Sequence, residues 1–317
     1  MTEIASSVSA SDQGIRSVFE RVYEGSLFRC GILDRPEGSR VIATIFEISE
    51  LPANLGNLLK VLSDENSDAR TVARVAMLNP AVAGKILKVV NSSATGLQGK
   101  VTSLKRAVAL LGYEQVRSIV LGASIFTSRR AKFLPPTLPI SELWNHSAAV
   151  GSIATLIAHR LGDLDAATLL SAGLLHDTGK LILAMAFKEK FTRALKLASA
   201  MMGELSNIEL RGIGVTHQLA SAALCKSWNL PERLWGLIAA QEHPALGPDG
   251  RAAAALQLAE FYARTYSLGL DGQWAHGFVP EEVCWHLGLT PESAPKLIPP
   301  EDIRKVVERI GILKNWE

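Results

Sequence analysis

From Leu51 onward, apolar residues recur three and four positions apart, and no other feature constrains the fold of this chain as strongly. Leu51, Leu55, Leu58, Leu59 and Leu62 make one stripe, and Val150, Ile153, Ala154 and Ile157 make another. Helix start and stop signals punctuate the pattern. Asn79-Pro80 suits a helix start, because Asn can accept from free N–H groups and Pro fits the first helical position. Asp165 and Thr216 are further candidate caps, as is Ser67, Gly112 and Gly162 are candidate terminators, and Thr178-Gly179 is expected to break or bend the chain. Alanine and leucine dominate the apolar set, and aromatic residues are only 6% of the chain, which favours helix over sheet. The expected fold is all-α, with many helices in two lobes.

The segment AKFLPPTLPI, residues 131–140, carries three prolines and reads as a Pro-rich linker. The expected organisation is a partly ordered N-terminal extension (1–46), a first helical lobe (47–130), the linker (131–140), a second helical lobe (141–265) and a C-terminal helical extension (266–317). Val41 to Ile48 suits either a short strand or an approach to the next helix. Ser206 with Glu209 has capping-box spacing. A helix is expected from Pro231 through Leu234 and Ile238 to His243, stopped by Pro244.

Lys and Arg number 33 against 31 Asp and Glu, so the net charge is +2. That balance gives no electrostatic case for nucleic acid. The first residues, MTEIASSVSASDQG, lack the basic flank and apolar run of a signal peptide. Apolar runs are far shorter than a bilayer span, so no membrane is expected. Cys30, Cys225 and Cys284 are odd in number and widely spaced, which points to a cytoplasmic protein. Cys225 falls in an apolar helix and reads as a core thiol.

The histidines carry the chemical signal. His146 lies early in one helix, His176-Asp177 at the end of another, His217 in the first turn of a third and His243 beside Pro244. Side chains at helix ends can converge from separate elements, and imidazole and carboxylate suit a borderline divalent metal. The same positions equally suit partly exposed helix caps. Lys180, three residues past Asp177, can approach a phosphate or pair with a carboxylate. His159, His276 and His286 read as structural or solvent-facing.

The segment Gly173-Leu174-Leu175-His176-Asp177-Thr178-Gly179-Lys180 resembles the His-Asp signature of the HD superfamily. Leu51-Pro52, Asn79-Pro80 through Asn91-Ser92, Leu110-Leu111-Gly112 ahead of Val116-Arg117, Trp144-Asn145-His146-Ser147 and Trp228-Asn229-Leu230-Pro231 narrow the likeness to the HDOD domain, the HD-related output domain of bacterial signalling. It covers about residues 45–265 and makes the second lobe HD-like.

The resemblance implies a metal set of His146, His176, Asp177, His217 and His243, with Glu260 at a position normally occupied by Asp. It implies one or two divalent ions (Fe, Mn, Zn or Ni). The Gly-Tyr-Pro motif is absent, and His243 is followed by Pro244 rather than a second histidine. Both departures argue against cyclic-di-GMP hydrolysis. HDOD domains are regarded as regulatory modules without established catalysis. The implied function is therefore signalling, through a protein partner or a small phosphorylated ligand. The alternative is a metal-dependent phosphohydrolase or phosphodiesterase acting on a nucleotide or cyclic nucleotide, with Asp177 and Lys180 catalytic.

Overall fold

The structure is a computed structural model. It describes residues 133–201, 203–227, 230–269 and 278–313 without break, and before them 66–76, 103–113 and shorter pieces between 40 and 120. The Asn79-Pro80 start and the Leu51 end of the first stripe lie outside the described residues.

Every regular element among the described residues is helical. In chain order they are α1 (Ala69–Ala76), α2 (Leu104–Leu111), α3 (Ile140–Leu161), α4 (Ala166–Leu175), α5 (Thr178–Ala186), α6 (Lys188–Met201), α7 (Leu205–Gly212), α8 (His217–Ser227), α9 (Glu232–Ala239), α10 (Gly250–Thr265), α11 (Glu281–Leu287) and α12 (Pro300–Leu313). Short 3-10 turns occupy Pro244–Leu246 and Ala294–Lys296.

The punctuation largely follows the sequence. Gly112 and Gly162 close α2 and α3 at φ 77° and 80°, a region that side chains disfavour. Asp165 accepts from the Thr168 N–H ahead of α4, and Thr216 Oγ1 from the Leu219 N–H at α8. Three expectations fail. α1 is capped by Asp68, which accepts from the Thr71 N–H at 2.7 Å, rather than by Ser67. The expected helix to His243 ends at Ala239. The capping box at α7 does not form: Glu204 is the N-cap residue and makes no side-chain cap bond.

Buried apolar residues form two clusters. One joins Leu58, Val72, Val82, Ile86 and Val108. The larger joins α3 to α12 and includes Leu143, Ile153, Leu175, Leu183 and Tyr262. Arg40, Val41, Ala43 and Thr44 are helical rather than extended, and Val41 is buried in the larger cluster. Thr168–Ala186 is long and apolar enough to cross a bilayer, but 89% of it is buried inside the fold, as expected for core helices. The buried Tyr262 hydroxyl donates to Ala294 O (2.8 Å) and accepts from Ile298 N (2.9 Å), pinning the C-terminal segment to α10.

α3 and α4 cross through Gly151 and Gly173. A Cβ on Gly173 would overlap the Gly151 backbone, and one on Gly151 would stand 2.8 Å from Leu170 O. This contact brings the end of α4, and with it His176, close to His146 on α3.

Candidate metal centre

The side chains converge at the corner between α4 and α5. His176 continues the helical bonding of α4, its N–H donating to Ala172 O at 2.8 Å. Asp177 then occupies the N-cap position of α5 without a side-chain cap bond. The His176 Nδ1 sits 2.7 Å from Gly173 O. A carbonyl only accepts, so Nδ1 carries the proton, and in the neutral ring Nε2 presents its lone pair. α3 supplies His146 and α10 supplies Glu260, and both are buried.

The ligand atoms of His146, His176 and Glu260 all lie within 4.8 Å of one another. The His146 Nε2 stands 3.2 Å from both Glu260 oxygens and 3.8 Å from Asp177 Oδ2. The His176 Nε2 stands 3.2 Å from Glu260 Oε2 and 3.4 Å from Asp177 Oδ1. Neither of these last contacts has hydrogen-bond geometry. His176 Nε2 and Asp177 Oδ1 are thus buried polar atoms without a hydrogen-bond partner among the described residues. Two such atoms facing each other are costly unless something bridges them. A divalent cation fits, because every group around it offers a lone pair.

The electrostatics hold Glu260 ionised. Burial would raise the Glu260 carboxyl, but Arg264, His146 and His176 outweigh it and keep it well below the usual carboxylate range. Arg264, one turn on, forms an ion pair with Glu260 Oε1 at 2.5 Å. Burial also lowers the His176 imidazole, and the carboxylates of Asp177 and Glu260 more than compensate, leaving it raised. Lys180 is completely buried and donates to Asp177 Oδ2 at 2.8 Å.

His217 opens α8, and its Nε2 stands 3.5 Å from Asp177 Oδ1, beside the His146–His176–Glu260 group. Glu209 on α7 orients it. Glu209 Oε2 accepts the His217 backbone N–H (2.8 Å) and lies 2.7 Å from Nδ1. Burial pushes the Glu209 carboxyl well above its ordinary range, and Oε2 accepts the backbone N–H while sharing a proton with Nδ1. Nδ1 is engaged by Glu209 and Nε2 faces Asp177, and with Nδ1 donating this is the arrangement that orients many metal-binding histidines. The spacing of Glu209 to Ser206 suits a helix cap and gives no hint of this role. His243 is exposed at the start of the Pro244–Leu246 turn and is not among the converging side chains.

The two glycines of the signature are packing residues. Gly173 sets the α3–α4 approach. Gly179 lies within α5, not at a helix break, and a Cβ there would overlap the His217 carbonyl oxygen. The same contact is bonded: Gly179 N–H donates to Ser221 Oγ (2.7 Å), which donates to His176 O (2.6 Å). The signature thus places its own His-Asp pair and also sets its distance from His146 and His217.

This helical fold with its buried His-Asp corner defines an HD-type domain. The HDOD domain family model matches residues 48–244, and the chain belongs to the HDOD family. Glu260 lies beyond the matched residues. Among solved structures, the chain is similar to an HDOD domain protein with unknown function from Geobacter sulfurreducens, at 22% identity and TM-score 0.67, covering 88% of this chain and 99% of that one. It is similar to a provisionally assigned phosphohydrolase from Shewanella amazonensis SB2B, at 21% identity and TM-score 0.66, covering 87% and 98%. A third likeness is to a provisionally assigned signal transduction protein from Marinobacter aquaeolei VT8, at 20% identity and TM-score 0.68, covering 92% and 68%. At these identities the likeness is one of fold. An uncharacterized protein of Treponema pallidum (strain Nichols) is 26% identical over 192 residues, and the match spans 59% of this chain but only 36% of that protein.

Proposed function

We propose that this chain is a regulatory HDOD protein that holds one divalent metal ion as a structural tie and signals by contact with a protein or a small ligand. The observation that carries the metal is the pair of unpartnered buried atoms, His176 Nε2 and Asp177 Oδ1, beside His146 Nε2 and the Glu260 carboxylate. His146, His176, Asp177 and Glu260 would hold the ion, and His217 faces the same carboxylate oxygen from α8. The mixed nitrogen and oxygen donors suit Fe, Mn, Zn or Ni. Such an ion, once bound, would join α3, the α4–α5 corner and α10, and would supply Lewis acidity.

The commitment of Lys180 favours regulation over catalysis. Its ammonium is fully buried against Asp177, so it is not presented to a phosphate. The Marinobacter structure, described as a signal transduction protein, agrees with this reading. The phosphohydrolase description of the Shewanella structure marks the alternative. Chain manganese- or iron-loaded and offered cyclic dinucleotides, nucleotides and a generic phosphodiester is expected to turn none of them over. Efficient turnover abolished by His176→Ala would replace the regulatory reading with the hydrolytic one.

Glu209 offers a separate check on the geometry. Glu209→Ala removes the carboxyl that orients His217 and is expected to weaken metal affinity by about 10- to 100-fold. Glu209→Gln retains an acceptor oxygen and should recover most of that loss. Competition against a chelating dye measures both, and equal affinities for all three proteins would remove His217 from the centre.

A further inference from the structure

A cavity of about 70 Å³ lies against His176, His217 and Glu260. Three glutamines line it: Gln218 on α8, Gln241 just past α9 and Gln257 on α10. All three carbonyl oxygens, Oε1, are buried without a hydrogen-bond partner among the described residues. Gln218 and Gln241 are only 4% and 3% exposed. The orientation of Gln218 is fixed, because its Nε2 donates to Glu242 Oε1 at 2.7 Å. Its unpartnered atom is therefore the acceptor. An unsatisfied buried oxygen is costly, and three lining one cavity mark a surface shaped for something that donates.

The other lining groups identify the donor. Glu204, Glu242 and Glu260 contribute carboxylates, while Arg264 is the cationic side chain on the wall and is engaged by Glu260. In the metal-free chain an anion would meet acceptors and carboxylates and is disfavoured. Phe261 and Phe278 add aromatic faces, on which a planar cation stacks well. The volume decides the size. At about 10–15 Å³ per water, the cavity holds the equivalent of roughly five to seven waters. A nucleoside exceeds that, and a guanidinium on a short stem matches it. Guanidinium carries five N–H donors in a plane, enough for the three amide oxygens and a carboxylate together.

We propose that this cavity is a guanidinium-binding pocket, taking either a free guanidino compound or the exposed arginine of a partner. It gives the ligand class for the contact function proposed above and rests on that reading only for its signalling consequence, because the glutamine oxygens are present with or without a metal.

The test is calorimetric titration of the full chain with methylguanidine and agmatine, and in separate arms with methylamine, AMP and a short peptide carrying one central arginine. Guanidino compounds are expected to bind at least tenfold more tightly than methylamine, and AMP to show no saturable binding at this site. Tighter binding of the peptide than of agmatine assigns the pocket to a partner's arginine, and the reverse order to a free compound. Gln241→Leu is expected to weaken methylguanidine binding tenfold or more. It should leave the melting temperature of the unliganded protein unchanged or raised, since it removes an unsatisfied oxygen, whereas a purely structural glutamine would lower it. Absence of guanidinium binding, or equal binding by Gln241→Leu, overturns the proposal. Metal content is read on the same samples. Guanidinium binding by a metal-free chain would remove the ion and keep the pocket, and a metal-loaded chain that ignores guanidinium would do the opposite.

Discussion

Gly179→Ala is expected to destabilise the protein by about 3 kcal/mol, at the upper end for overpacking a close contact. The added methyl would occupy the position of the His217 carbonyl oxygen. Backbone on both sides leaves no flexible side chain to yield, so α5 and α8 must separate. Separation also strains the Gly179–Ser221–His176 chain of hydrogen bonds and draws His217 away from Asp177. Metal affinity should therefore fall together with stability. Gly173→Ala acts in the same way at the α3–α4 crossing. Gly212→Ala is the control: it is exposed with open space around its Cβ position and should leave stability unchanged or raise it by up to about 1 kcal/mol. Urea unfolding followed by circular dichroism measures all three. A Gly179→Ala midpoint equal to that of the unsubstituted protein would mean that α5 and α8 do not pack this closely.

Asp177→Ala is expected to cost the metal-free protein about 3–5 kcal/mol, the typical effect of breaking a buried ion pair by removing one member. Lys180 is 0% exposed and Asp177 is its carboxylate partner at 2.8 Å. Without it, the buried ammonium loses its short carboxylate contact. Replacing both residues, Asp177→Ala with Lys180→Met, removes the charge problem and leaves an apolar chain of similar length. That double variant should recover most of the lost stability while binding no metal. It separates folding from binding, which Asp177→Ala alone cannot do. Equal stability of the single and double variants in chelator would show that the Lys180 ammonium is not paid for by Asp177 in the way the geometry indicates.

Much of the framework was legible in the sequence because it depends on local chemistry. Gly112, Gly162, Asp165 and Thr216 act at helix ends as their residue types dictate, and the His-Asp signature marks the α4–α5 corner. The misreadings share a physical cause. Glu209 has the spacing of a capping box, yet its carboxylate is drawn away by His217, eight residues on, in a contact that only the α7–α8 fold creates. Gly179 looks like a helix breaker, but it lies within a helix because a neighbouring backbone occupies the space of its missing side chain. His243 was placed in a helix by the stopping power of Pro244, but α9 had already ended at Ala239, and the intervening turn leaves the imidazole exposed. Gln218, Gln241 and Gln257 carry no periodicity or motif, and only their shared cavity singles them out.

The metal content of the chain, purified without chelator and measured by plasma mass spectrometry beside His176→Ala, tests the central claim most directly. One equivalent of a first-row transition metal in the unsubstituted protein, lost in a His176→Ala variant with an unchanged helical spectrum, is the predicted result. A well-folded protein that carries no metal and takes up none from iron, manganese, zinc or nickel salts would contradict it.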